Sequence, residues 1–132
     1  MQNTNLIKDF LSRRVFAVVG VSRDREKYGY KVFMDLRNAG YKVYPINPNA
    51  ESINGIKCYK NLSSLPEKPE VVEFVVPPNV TLEVLKECKR LGIRNVWFQP
   101  GSESKDVLDF CKRNGMNAVH GVCIIIERKG RE

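Results

Sequence analysis

Four short segments of this chain combine small, cationic, amide and rigid residues as a site for an anionic ligand requires. The first is Gly20-Val21-Ser22-Arg23-Asp24-Arg25-Glu26-Lys27-Tyr28-Gly29. A glycine at the end of an apolar run permits a tight exit. A helix N-terminus beyond it offers unpaired N–H groups and the positive end of a dipole. Ser22 adds a hydroxyl, and Arg23, Arg25, Lys27 and Lys31 add mobile positive charge. The glycine alone reads as an ordinary turn; glycine, hydroxyl and cations together read as a phosphate cradle. The second segment, Pro45-Ile46-Asn47-Pro48, brings an amide and no acid. In the third, Val76-Pro77-Pro78, two rings without N–H groups form either a flat wall for a base or a plain strand stop. The fourth, Phe98-Gln99-Pro100-Gly101, supplies an amide before a helix, or simply a turn.

The spacing rules out two common phosphate motifs. A G-x-G-x-x-G fingerprint starting at Gly20 needs glycines where Ser22 and Arg25 stand, and no Walker A sequence exists. An NAD site also expects an acid at the end of the second strand, where this chain has Asn47. NAD is disfavoured and NADP less so, because a ribose bearing a further phosphate needs no acid there. Catalysis needs a nucleophile with a base, or paired acids. His120 is the only histidine, and no motif joins it to Ser22 or to a cysteine. Glu73, in an apolar strand, either bonds nearby backbone or faces solvent at an edge. Asp24 lies in the candidate phosphate loop, and neither makes an obvious catalytic pair.

The elements that must position these segments follow from period and punctuation. With 132 residues, 42% hydrophobic and 28% charged, the composition is that of an ordinary globular chain. Disorder, collagen and a disulfide scaffold are excluded, and one domain over residues 1–132 is expected. The longest apolar runs, Val15–Val19 and Val122–Ile126, are far short of the ~20 residues that span a bilayer. No charged-then-apolar leader opens the sequence, so a cytoplasmic location with no membrane partner is expected. The four cysteines form neither a CxxC pair nor a metal-ligand cluster and read as free, mostly buried thiols.

Leu6, Ile7, Phe10 and Leu11 recur at helical spacing before the run Val15–Val19, a strand covered on both faces. A helix carrying Val32, Phe33, Leu36 and Ala39 resumes after Gly29 and ends at Gly40. Tyr41–Ile46 is the second strand, and residues 49–70 are loop with one turn at Leu62–Leu65. Val71–Val76 is the third strand, followed by a helix with Val80, Val84, Leu85, Cys88 and Leu91 inward. Ile93–Phe98 is the fourth, and Ser102 is expected to cap the helix with Val107, Leu108 and Cys111. Met116–Val119 is the fifth, and Val122–Ile126 is left unassigned. Such alternation predicts a Rossmann-like α/β fold: an open parallel five-stranded sheet with helices on both faces, a three-layer sandwich. All four segments then fall at the carboxyl ends of strands, where such sheets bind ligands.

Taken in order, Val18-Val19-Gly20-Val21-Ser22, Tyr44-Pro45-Ile46-Asn47-Pro48, Val75-Val76-Pro77-Pro78, Val96-Trp97-Phe98-Gln99-Pro100-Gly101 and Gly121-Val122-Cys123 resemble the CoA-binding domain family. This Rossmann-like group includes small stand-alone proteins and the amino-terminal domain of the succinyl-CoA synthetase alpha subunit. The resemblance implies coenzyme A or an acyl-CoA as ligand. Gly20, Val21, Ser22 and Arg23 would line the pyrophosphate. Asn47 and Pro48, with a nearby Lys or Arg, would flank the adenosine and its 3′-phosphate. Val76, Pro77, Phe98 and Gln99 would border the nucleotide and the start of the pantetheine arm. Arg25 and Lys27 join the candidates for cofactor binding. The ligases of this family need a further domain with a phosphorylatable histidine, which the sequence to Glu132 lacks, so a binding module without its own catalytic machinery is expected.

Three other readings stay open. In a thiol/disulfide redox protein, Cys58 or Cys123 would exchange with the CoA thiol. An NADP-dependent oxidoreductase is suggested by the fold alone. A nucleic-acid-binding domain is suggested by 22 Lys+Arg against 15 Asp+Glu, a formal charge of +7, but the cations are scattered and form no recognition motif. Nothing identifies a protein partner.

Overall fold

The continuous apolar runs become strands buried on both faces. The computed structural model describes residues 4–130, so residues 1–3, part of the stretch read for a leader, and Arg131, part of a short basic cluster, lie outside the described residues. The chain alternates α1 (Thr4–Leu11), β1 (Val15–Val19), α2 (Tyr28–Asn38) and β2 (Lys42–Ile46). A small hairpin follows, β3 (Ser52–Ile53) and β4 (Ile56–Lys57), then a 3-10 turn (Leu62–Ser64). The second half runs β5 (Val71–Phe74), α3 (Pro78–Leu91), β6 (Asn95–Phe98), α4 (Lys105–Arg113), β7 (Asn117–Val119) and α5 (Ile124–Lys129).

Five strands form one parallel sheet in the order β2-β1-β5-β6-β7. The chain moves outward from β1 to β2, then returns across β1 to β5, so the crossovers diverge at β1/β5 and leave a crevice at their carboxyl ends. Alternate strand residues supply the two cores. Phe16, Val18, Val71 and Trp97 pack under α1, α2 and α5 through Phe10, Val32, Phe33, Leu36 and Ile124. Ala17, Val19, Val72, Phe74, Val96 and Phe98 pack under α3 and α4 through Leu85, Cys88, Val107 and Cys111. The expected three-layer α/β sandwich is the observed one. Pro45 sits in β2, the edge strand, where a missing N–H is tolerated.

Four local expectations change. Residues 49–70 contain the β3–β4 hairpin, turned by Asn54 (φ 52°) and Gly55 (φ 75°), an Asn-Gly pair suited to a tight primed turn. The third strand ends at Phe74, and Pro78 opens α3 rather than halting a strand, its absent N–H costing nothing in a first turn. Ser104, not Ser102, caps α4, its hydroxyl accepting from the Val107 N–H at 3.2 Å. Ser102 is buried and accepts from the Val76 N–H at 3.1 Å, which ties the end of β5 to the β6–α4 loop. The run Val122–Ile126 divides into a turn and the start of α5.

Candidate functional site

A cavity of about 270 Å³ opens in the β1/β5 crevice. Its floor and one wall come from the β1–α2 loop, and the rules of backbone contact fix that loop. Gly20 adopts φ +100°, and a Cβ there would stand 2.4 Å from the Val75 carbonyl oxygen and 2.6 Å from Val76 Cγ1. Only glycine lets β1 exit beneath the end of β5. Gly29, in the first turn of α2, approaches so closely that its Cβ would lie 2.0 Å from the Gly20 oxygen. The positive end of α2 is thereby pressed against the loop. The N-cap residue, Lys27, makes no side-chain cap, so its own side chain does not take up the N–H groups an anion would use.

Within the loop, the Ser22 hydroxyl accepts from the Asp24 N–H and an Asp24 carboxylate oxygen accepts from the Glu26 N–H, each at 3.0 Å. Ser22 therefore keeps its own proton to donate. Asn47 also ties two loops together. Its Nδ2 donates to the Val21 carbonyl at 2.7 Å and its Oδ1 accepts from the Asn49 N–H at 2.7 Å. The amide lines the cavity while stapling the β1–α2 loop to the end of β2.

The far wall arrives by an extra pairing. Tyr59 bridges to Ile46 beside β2, its N–H donating to Pro45 and its carbonyl accepting from Asn47. This sets Lys60 and Asn61 on the cavity rim. Lys60 makes no ion pair among the described residues. The remaining surface is apolar: Ile46, Pro48, Val76, Val80 and Val84. Val80 is 39% exposed, unusual for a large apolar side chain here, and the cavity is what it faces. Glu87, also in the wall, spends its carboxylate on the N–H groups of Leu62 and Ser63.

Gly20, Val21, Ser22, Asn47, Pro48 and Val76 thus meet as the spacing implied. Arg23, Arg25 and Lys27 are exposed on the loop outside the lining. Arg23 acts electrostatically on Cys58, which places it on the hairpin side. Pro77, exposed, is the N-cap of α3 next to the wall. Phe98 is a core residue stacked on Phe74, with ring centres 5.2 Å apart. Gln99 is buried and turned to the other face of the sheet, its Oε1 accepting from the Ile124 N–H at 2.7 Å. Neither lines the cavity. Lys60, Asn61, Val80, Val84 and Glu87 were not singled out by spacing as wall residues; Val80 and Val84 sit four apart on α3 and read as an ordinary core stripe.

Reactive groups lie elsewhere. His120 Nδ1 is 3.9 Å from Glu103, half-exposed beside the β6–α4 loop. Glu73 is neither at an edge nor bonded to backbone: it is fully buried, with both carboxyl oxygens unpartnered, and burial pushes its pKa well above the usual range. Burial also raises the thiols of Cys58, Cys88 and Cys111, the last to about 11. A larger, shallower depression of about 720 Å³ lies at the amino ends of the strands. Of its cations, Arg13 faces Asp9 and Glu70 and Arg128 faces Asp35, and the loops that line it lead into β1 and β2 rather than out of their carboxyl ends. The crevice is the candidate site.

Residues 14–129 match the family model described as a CoA binding domain. The chain is 31% identical over 126 residues to the alpha subunit of the ADP-forming acetate–CoA ligase II of Pyrococcus furiosus, covering 87% of this chain and 28% of that subunit. It spans less than a third of the length of the ligases it first matches. Among solved structures, a conserved hypothetical protein of Pyrococcus furiosus superposes with a TM-score of 0.84 at 42% identity, over 87% of this chain and 99% of that one. A hypothetical protein of Pyrococcus horikoshii gives 0.91 at 31% identity, over 97% and 91%.

Proposed function

The chain belongs to the CoA-binding domain family, and from that premise we propose that it binds coenzyme A, free or acylated, across the mouth of the β1/β5 crevice. The observation that carries the reading is the Gly20–Gly29 approach. It brings an uncapped helix N-terminus against a glycine exit at the switch point of a parallel sheet, an arrangement suited to a pyrophosphate. The residues fit the remainder. The cavity is near the lower end of ligand-pocket volumes, suited to a nucleoside rather than to a whole coenzyme. Val80, Val84 and Pro48 offer an apolar surface to a base, and Lys60 on the rim offers a cation to a ribose phosphate. The flexible arm would then leave the cavity along the carboxyl edge of the sheet. The chain acts in this reading as a binding module, and which acyl group it carries is set outside the crevice.

The test is a set of melting curves with CoA, NADP, NAD and a short oligonucleotide at matched concentration. CoA is expected to stabilise most, by about 2.7 kcal/mol at a hundred times its Kd. A larger shift with NADP, or an oligonucleotide effect that collapses with added salt, would replace the reading.

A further inference from the structure

The carboxyl edge of the sheet carries a second cluster, one residue along α2 from Gly29, whose backbone touches the cavity residue Gly20. While Gly29 touches Gly20, its neighbour Tyr28 places its hydroxyl 3.0 Å from Cys123 Sγ. Gln99 Nε2 donates to the same sulfur at 3.4 Å, and its other end is fixed by the Ile124 N–H. Trp97 holds the preceding turn, its indole N–H donating to the Val122 carbonyl at 3.1 Å. The sulfur is thus held by the Gln99 amide and by a bond with the Tyr28 hydroxyl in which either group can donate, and it is half-buried, whereas Cys58, Cys88 and Cys111 are buried.

Beneath it stands Glu73, on β5 in register between Val18 and Trp97 and on the face that α2 and α5 cover. It lies within electrostatic reach of both Cys123 and Tyr28. A fully buried carboxyl with no partner is costly, and in a native fold it marks a place where a ligand or a water completes the bonding.

We propose that Cys123 is a nucleophilic thiol that exchanges with the disulfide of a small-molecule thiol, so that the chain carries that thiol as a mixed disulfide. The identity of the carried thiol as coenzyme A rests on the function proposed above; the nucleophile does not. In the exchange, the Cys123 thiolate attacks one sulfur of the incoming disulfide. The Cys123–sulfur bond forms as the small-molecule S–S bond breaks, and the other half leaves as a thiolate that takes a proton from water. One disulfide replaces another with no net oxidation. Burial works to raise the Cys123 thiol. The bonds from Tyr28 and Gln99 and the N–H groups of Ile126 and Ile125 outweigh it, leaving the thiol below its ordinary value. The Tyr28 hydroxyl is held to about 12 by the same bond, so it stays a donor. Cys58, which burial pushes up, lacks such support.

The experiment exposes the native protein to CoA disulfide and, separately, to glutathione disulfide, followed by intact mass and peptide mapping. One adduct per chain is expected, on Cys123, forming faster with CoA disulfide and absent in Cys123→Ser. Tyr28→Phe, at an exposed position, is expected to slow adduct formation about threefold: the thiolate lost with the hydroxyl bond is partly offset by the greater nucleophilicity of a more basic sulfur. An adduct on Cys58, or none on the native chain while CoA still raises the melting temperature, would overturn the nucleophile and leave the binding reading standing. Equal rates with both disulfides and no thermal shift with CoA would keep the nucleophile and remove coenzyme A as its partner.

Discussion

The carbonyl oxygen of Gly20 occupies the space that a side chain on Gly29 would need, 2.0 Å from the missing Cβ. Two backbones nine residues apart in sequence are therefore in direct contact, and the loop between them can take only the shape that contact allows. Gly29→Ala is expected to push α2 away from the loop, costing about 1–3 kcal/mol as overpacking does and abolishing the thermal shift with CoA. Gly40→Ala is the control. Gly40 also has φ +100°, but nothing lies within 4 Å of its Cβ position, so only backbone strain of about 1 kcal/mol is expected, with the CoA shift intact. Denaturant melts of the two variants with and without CoA separate the effects.

In the proposed reading, Lys60 and Arg23 would meet different phosphates. Lys60 is on the cavity rim beside the apolar wall, and Arg23 follows the loop that faces the end of α2. Lys60→Ala is expected to weaken CoA about tenfold while leaving dephospho-CoA little changed, the loss of one charge-assisted contact. Arg23→Ala is expected to weaken both ligands equally. Titration calorimetry with the two ligands decides, and the reverse pattern would exchange the assignments.

Much of this was legible because strand chemistry and loop chemistry are both local. Val15–Val19 could only be a strand covered on both sides, and Gly20 had to follow it. What escaped was what depends on partners distant in sequence. Asn47 lines the cavity as read, but its bond to the Val21 carbonyl, 26 residues earlier, has no local signal. Gln99 points away from the crevice because the N–H of Ile124 claims its oxygen. Ser102 looks like a helix cap, but Val76 uses its hydroxyl and the cap moves to Ser104. Lys60 reaches the rim only through the pairing of Tyr59 with Ile46, which no local pattern announces. The Asn54-Gly55 hairpin, by contrast, carries its own local signal within a stretch otherwise rich in loop residues.

Glu73 makes stability depend on pH in a definite direction. Burial raises its folded pKa, so the folded chain keeps a proton that the unfolded chain releases above about 4.3. The folded state then loses up to about 1.4 kcal/mol for each pH unit of climb until the folded value is passed. Glu67, Glu70 and Asp109, whose values are lowered by hydrogen bonds, act oppositely and only as the pH falls toward the acid range. Between about pH 5 and pH 7 the Glu73 slope stands alone among these carboxylates. Glu73→Leu is expected to flatten the dependence and to be more stable than the parent at the upper end, with the gain shrinking toward the lower. Urea midpoints across that range measure it, and parallel curves would show that a partner for the carboxyl exists in solution.

Asp35 and Arg128 join α2 to α5 by a two-pronged pair, Nε and one terminal nitrogen each donating at 2.8 Å to separate carboxylate oxygens. The side chains are 14% and 13% exposed, so solvent screens them little. Removing one partner breaks both charge-assisted bonds, and Asp35→Ala is expected to cost about 1.5–3 kcal/mol. Replacing both, Asp35→Ala with Arg128→Met, is expected to cost less than the sum of the single changes by at least about 1 kcal/mol, because the two side chains share one interaction. Because α5 begins at the Cys123 turn and α2 begins at Tyr28, the pair also sets the distance between the two elements that bring Tyr28 to the sulfur. Asp35→Ala should therefore slow adduct formation at Cys123 as well as lower stability. A double-mutant cycle by chemical denaturation, read alongside the alkylation rate of Cys123 in the same variants, tests both; additive costs with an unchanged alkylation rate would show that the helices dock without the pair.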